Sequence, residues 1–303
     1  MKKLAIVVLA FAMTSPLFAW GEKGHLLSNE AATYAVPVEM PRFFHEAYPS
    51  LVYLGYDPDR LRGAGDSLEE VNAPDHFIDY EYVAALKLPS KRYEFMALME
   101  SSGTLKSYGI RNDTTGFVPW RVAEICDLLA REWQLWKASR SAVERHAIEQ
   151  TIIAYAGILG HFVADSANPH HVTIHYNGWA SSENPKHFRT DCSTHFRFES
   201  DFINHQITIS DIVPLMAPAM RRDNYFQSEM ELLRQSNGLI DTVYTLDRDG
   251  AFDATNVQMT NEGRAFAASR LAAGASLLRD LWWSTYRNGI EGKARMSSRQ
   301  NTD

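Results

Sequence analysis

His161, Asp165 and His171 lie in the run HFVADSANPHH, where residue type and spacing suit the holding of metal ions. Residues four apart on a helix project from one face, so His161 and Asp165 can grip an ion together. The residue before a proline avoids helical geometry. Asn168-Pro169 therefore ends that helix and swings His171 toward a neighbouring ion. The same i, i+4 arrangement recurs at His195 and Glu199 in THFRFES. His187 and Asp191 form a competing pair, and Asp201 lies off the face of His195. Phe196, Phe198, Phe202 and Ile203 continue an apolar helical pattern that favours His195 with Glu199. Two such pairs imply a site for several metals.

The first 19 residues read as a secretory signal: Lys2 and Lys3, an apolar run from Leu4 to Met13, then Thr14-Ser15-Pro16 and Ala19. The apolar run is shorter than the roughly 20 residues of a spanning helix, so no stable membrane span is expected. Cleavage after Ala19 makes Trp20 the amino terminus of a secreted or periplasmic protein. A deprotonated α-amine is a nitrogen ligand and chelates a metal together with its own carbonyl oxygen. His25 supplies an imidazole five residues on, in WGEKGH.

WGEKGH, the HFID of His76 to Asp79, HxxxDxxxxPxH at 161–171 and HxxxE at 195–199 occur in one order. This combination resembles the trinuclear zinc superfamily that contains the fungal single-strand nucleases and the bacterial phosphatidylcholine-cleaving phospholipase C. The match runs from Trp20 to about Phe202, with a weaker echo at Arg270-Leu271-Ala272. The resemblance implies three Zn²⁺ ions. Asp57, His76, His161 and Asp165 would hold the first. The Trp20 amine and carbonyl, His25 and the other oxygen of Asp165 would hold the second. His171, His195 and Glu199 would hold the third. Asp59 and Asp66 also stand upstream of His76, and Asp57 is preferred because Asp57-Pro58-Asp59-Arg60 fits the Asp-x-x-Arg pattern of the nuclease branch. Glu199 stands where the nucleases usually carry aspartate and the phospholipases glutamate.

The chemistry implied is phosphodiester hydrolysis by a hydroxide made at neutral pH between two zinc ions. Asp57 would orient that nucleophile, and the planar donors of Arg60 would meet transition-state charge on the phosphate. In the resembled nucleases a phenylalanine stacks on the base where Phe77 stands here, and a glycine-asparagine loop lies near Asn177. The expectation is a secreted endonuclease acting on single-stranded nucleic acid. The alternative is a phospholipase C acting on phospholipid head groups, with Trp179 and the aromatics near Tyr176 as an apolar mouth. A zinc-binding protein without catalysis is the third reading, and Arg60 argues against it. No protein partner is implied.

Composition agrees with one large core. The chain has 303 residues, 45% of them hydrophobic and 12% aromatic. Its formal charge of −7 becomes −9 without Lys2 and Lys3, which argues against clamping a long duplex. Cys126 and Cys192 allow one disulfide, although Cys126 in the apolar run 125–129 equally suits a buried thiol.

The elements that must position these residues read as all-α. Ile148, Ile152, Tyr155, Leu159 and Phe162 form the core stripe of the helix that ends at the metal residues. His161 and Asp165 share a neighbouring stripe with Ala154, Gly157 and Ile158, whose small members would leave room for ions. Further helices are expected at 120–138, 227–246 and 261–286, the last ending before Gly289. The expected organisation is a signal at 1–19, one helical domain of packed long helices and long loops at 20–289, and a polar tail at 290–303.

Overall fold

The computed structural model describes residues 20–253, 255–256 and 259–292. The expected signal at 1–19 lies outside the described residues, as does the expected tail beyond Gly292. The expected all-α fold is observed: among the described residues every regular element is helical. The elements that build the site are α1 (Gly21–Tyr34), α2 (Tyr48–Leu54), α3 (Asp57–Arg60), α4 (Val118–Ala138) and α5 (Ala142–Ala167). Beyond them come α6 (Tyr225–Asn237), α7 (Ile240–Arg248) and α8 (Thr260–Glu291).

Helix α5 is the axis of the fold, packed against α1, α2, α4, α6 and α8. Ser141 starts it by accepting the Glu144 amide at 3.1 Å, which satisfies one of the free N–H groups of the first turn. Asn168 ends it in extended backbone before Pro169, as the sequence predicts. Its Oδ1 then accepts from the His170 amide and starts the next turn. The last carbonyl of α5, on Ala167, accepts from buried Arg270 of α8 at 3.0 Å, placing a cation at the negative end of the helix. Burial pulls the Arg270 pKa down to about 10. Helix α5 is long and apolar enough to cross a membrane, but half of its most apolar stretch is buried inside this fold.

The small residues of α5 serve helix contact rather than ion space. A Cβ on Gly157 would lie 2.4 Å from the Leu54 side chain, and one on Gly160 would lie 1.9 Å from Asn29 Oδ1. These glycines let α1 and α2 approach the α5 backbone, so at Gly157 the room expected for ions is taken by Leu54. Asn29 is the pin at this crossing: its Nδ2 donates to Leu51 O at 2.7 Å and to Gly157 O at 3.0 Å.

Two helix boundaries differ from expectation. The predicted 227–246 helix is two helices, α6 and α7, because the chain turns at Gly238. Helix α8 runs five residues past Tyr286, to Glu291, because Gly289 sits against Trp133 and Ala130 and so packs instead of capping. Cys126 is buried, Cys192 is exposed, and both are free thiols.

Replacing Asn29 with alanine removes two buried hydrogen bonds, those to Leu51 O and Gly157 O. We expect Asn29→Ala to lower unfolding free energy by about 2–4 kcal/mol in urea denaturation. A loss below about 0.5 kcal/mol would show that the crossing does not depend on this pin.

Candidate metal centre

Segments remote from one another in sequence converge on the last two turns of α5. His161 and Asp165 are fully buried there, on one face. His161 Nδ1 donates to Gly55 O at 3.0 Å, which turns the Nε2 lone pair inward. Nε2 then lies 2.9 Å from His76 Nδ1 and 3.5 Å from Asp165 Oδ2. His76 arrives on a short 3₁₀ turn, Ala73–His76, and its carbonyl accepts from His171 Nδ1 at 2.8 Å. The Ile78 amide returns a bond to His171 O at 2.9 Å, so the two segments fix each other.

Asp165 faces two ways. Its Oδ2 is 3.2 Å from His76 Nδ1, while its Oδ1 is 3.5 Å from His25 Nε2 and 3.8 Å from His171 Nδ1. One carboxylate thus stands between two sets of imidazoles. His25, from α1, stacks on His161 with ring centroids 3.9 Å apart. A third set forms where His195 Nε2 meets Glu199 Oε2 at 2.7 Å and His171 Nε2 at 3.1 Å. The chain carrying this pair is wound as a π-helix over Arg197–Phe202, a local variant common at functional sites. Asn168 Nδ2 and the Trp20 backbone amide both donate to the Glu199 carboxylate. Trp20 itself is buried, its ring 5.3 Å from Phe198 and its Nε1 donating to Ala164 O.

Three groups result, each with one ligand atom per residue lying within 4.8 Å of the others: His25, Asp59 and His161; His76, His161 and Asp165; His171, His195 and Glu199. The structure brings together every expected histidine, Asp165 and Glu199. It does not bring in Asp57. Residues two apart on a helix lie about 200° apart around its axis, so α3 can aim only one of Asp57 and Asp59 at the centre. Asp59 is that residue: it is 4% exposed, with Oδ1 3.8 Å from His161 Nε2.

The arginine moves with it. Arg60 donates to Tyr53 O at 2.8 Å, pairs with Glu22 and Asp57, and stacks on Tyr53. Arg62 lies 3.5 Å from Asp59 and 3.3 Å from Glu69, and its charge lowers the pKa of His76, His161, His195 and Glu199. The Asp-x-x-Arg pattern is met a second time, in Asp59-Arg60-Leu61-Arg62, a match that overlaps the first by two residues. Phe77 follows His76 half-buried, its carbonyl accepting from the Val118 amide. Asn177 is half-buried with Oδ1 unbonded. The aromatic ring presented to solvent beside the centre is Tyr176, 6.4 Å edge-on from His195. His170 and His175 are buried behind it, whereas His205 is exposed and paired with Asp201.

Burial sets the electrostatics. It pushes His161 and His195 down to about 3 and holds His76 and His171 below the usual imidazole range. The same burial pushes Asp59 and Glu199 up to about 7 and Asp165 well above its ordinary value. Neutral imidazoles with converging lone pairs around buried carboxylates lack positive charge, and Asp165 Oδ1 and Asp59 Oδ2 are buried without hydrogen-bond partners. Divalent zinc fits this nitrogen and oxygen donor set, and binding it would supply the missing charge.

No family profile and no curated protein matches the sequence. Among solved structures the chain is similar to the alpha-toxin of Clostridium perfringens avian strain SWCP, at 13% identity and a TM-score of 0.45, over 89% of this chain and 65% of that one. It is also similar to the alpha toxin of Clostridium absonum, at 12% identity and a TM-score of 0.43, over 94% of this chain and 68% of that one. The chain thus spans just under two thirds of the length of the first of these toxins.

The pKa directions fix how zinc and protons compete. In the metal-free protein the raised carboxyls favour folding fully only below their unfolded values near about 4, and that contribution is lost as pH rises through 7. Below pH 7 protons on Asp59 and Glu199 oppose zinc, while His161 and His195 stay neutral to about pH 3 and add nothing to that loss. We expect zinc affinity to fall by about tenfold or more per pH unit from 7 to 5, measured by titration against a competing chelator. Constant affinity across that window would remove both carboxylates from the ligand set.

Proposed function

We propose that this protein is an exported, zinc-dependent hydrolase of phosphoric diesters whose centre holds three metal ions. The observation that carries this reading is Asp165, whose two carboxylate oxygens face separate histidine sets, with a third donor set sharing His171. His76, His161 and Asp165 with Asp59 would hold one ion; His25 with the Trp20 terminus and Asp165 would hold a second; His171, His195 and Glu199 would hold the third. Zinc bound there supplies Lewis-acid polarisation of a phosphoryl oxygen and activation of water near neutral pH.

The chain's own residues do the rest. Gly55 O and His76 O fix the tautomers of His161 and His171, so both present lone pairs to the centre. Asn168 orients Glu199 from the end of α5. Asp59 orients the attacking water, and Arg62 beside it presents guanidinium N–H groups to a phosphate oxygen as negative charge develops there. The amino-terminal pattern of Lys2, Lys3 and Ala19 supports export and a Trp20 terminus.

Two substrates carry an observation each. Asp59-x-x-Arg62 and half-buried Phe77 beside His76 support single-stranded nucleic acid, as in the resembled nucleases. Glu199 as the last ligand and exposed Tyr176 beside His195 support a phospholipid head group, as in the resembled phospholipases. Zinc-loaded protein beginning at Trp20 should hydrolyse bis(p-nitrophenyl) phosphate in a chelator-sensitive manner. Parallel assays on denatured DNA, RNA and phosphatidylcholine micelles then decide between the substrates. Protein that holds zinc yet turns over none of these would defeat the reading.

Single substitutions separate the two overlapping motifs. Asp59→Ala should abolish zinc retention at one site together with activity, whereas Asp57→Ala should keep both within about threefold of wild type. Arg62→Ala should spare zinc content and lower kcat by roughly 10²-fold or more, with Arg60→Ala close to wild type. The reverse order in either pair, read from metal analysis and steady-state kinetics, would restore the 57/60 assignment.

A further inference from the structure

A cleft of about 360 Å³ opens on the outer flank of the segment that carries His195, away from the side that faces the metals. Three guanidinium groups and three carboxylates line it. Arg197 Nε donates to Asp247 Oδ1 at 2.6 Å and forms the inner wall. Asp247 is only 3% exposed, yet its Oδ2 has no hydrogen-bond partner, with Arg189 Nε 4.0 Å away. A carboxylate oxygen buried without a donor is costly, and a ligand N–H would satisfy it.

At the mouth both signs of charge remain available. Arg189 is 43% exposed and spends one N–H on Asp191, and Arg248 is 36% exposed and spends three, two on Asp249 and one on Lys186 O. A guanidinium offers five N–H donors, so each keeps capacity for an oxyanion. Asp253 is exposed on the same cleft. Phe196, 62% exposed, adds an open aromatic face of the kind that attracts an alkylammonium. A plain phosphate would meet the carboxylates, and a plain amine would meet the guanidiniums. A ligand carrying both charges a few bonds apart meets neither penalty.

We propose that this cleft binds an aminoalkyl phosphate, a zwitterion whose phosphate engages Arg189 and Arg248 while its ammonium lies between Asp247, Asp253 and the Phe196 ring. The phosphate is favoured over a carboxylate because two guanidiniums at the mouth match its larger number of acceptor oxygens. The site shares no residue with the metal-ligand groups, and the proposal does not depend on which diester the metals cleave.

Titration calorimetry on the zinc-loaded full chain tests it with phosphoethanolamine, ethanolamine alone and inorganic phosphate. Phosphoethanolamine should bind at least about tenfold more tightly than either half. Arg189→Gln and Phe196→Ala should each weaken it by about tenfold while leaving bis(p-nitrophenyl) phosphate hydrolysis at the wild-type rate. Co-sedimentation with phosphatidylethanolamine vesicles, lost in both variants, would identify a lipid head group as the source. Binding of phosphoethanolamine without vesicle binding would identify the free molecule. Equal binding of inorganic phosphate, or variants that bind phosphoethanolamine as wild type does, would overturn the proposal, since the ligand would then sit at the metals.

Discussion

Asp165 is a carboxylate buried beyond the reach of water, and much of the molecule is arranged around the cost of placing it there. Its oxygens divide between His76 with His161 on one side and His25 with His171 on the other. Such a group is stable as an anion only when positive charge comes to it. Burial holds His76, His161 and His171 beside it neutral, so these bring lone pairs and no charge. The centre is consequently underfilled electrostatically until cations enter, which couples metal binding to the stability of the surrounding helices.

The scaffold that maintains this arrangement is a set of close backbone approaches. Helix α5 carries Asp165 and must sit at fixed depth against α1, which carries His25, and against α2 and Gly55, which orient His161. Asn29 ties the three together through Leu51 O and Gly157 O, and Gly157 and Gly160 allow the contact. At the other end Arg270 holds the final carbonyl of α5, and Asn168 converts the helix stop into a contact with Glu199. The placement of the donor groups therefore depends on polar pins at both ends of one helix as much as on the apolar core.

The flank beyond His195 is built differently. There exposed charges pair locally, Arg248 with Asp249 and Arg189 with Asp191, around the buried Asp247 held by Arg197. The centre gathers metal-type donors in excess of positive charge, whereas the flank is balanced. The π-helical winding at Arg197–Phe202 joins the two regions, since it places Glu199 inward while Phe196 turns to solvent.

Local spacing determined a large part of this protein. His161, Asp165 and His171 around a proline stop, and His195 with Glu199, were readable because i, i+4 periodicity and the pre-proline restriction act within a few bonds. The helical class was readable for the same reason. Which aspartate of Asp57 and Asp59 enters the centre was not, because both fit the motif and the choice depends on how α3 is rotated against α5. The roles of Gly157 and Gly160 were likewise decided by what packs on them, Leu54 and Asn29, which are remote in sequence. Gly238 and Gly289 look alike as helix stops, yet one ends a helix and the other lies inside one because Trp133 is there to cover it. The chain's local chemistry names the donors; only tertiary contact, which fixes rotation and depth, decides which of two equivalent residues reaches the buried charge.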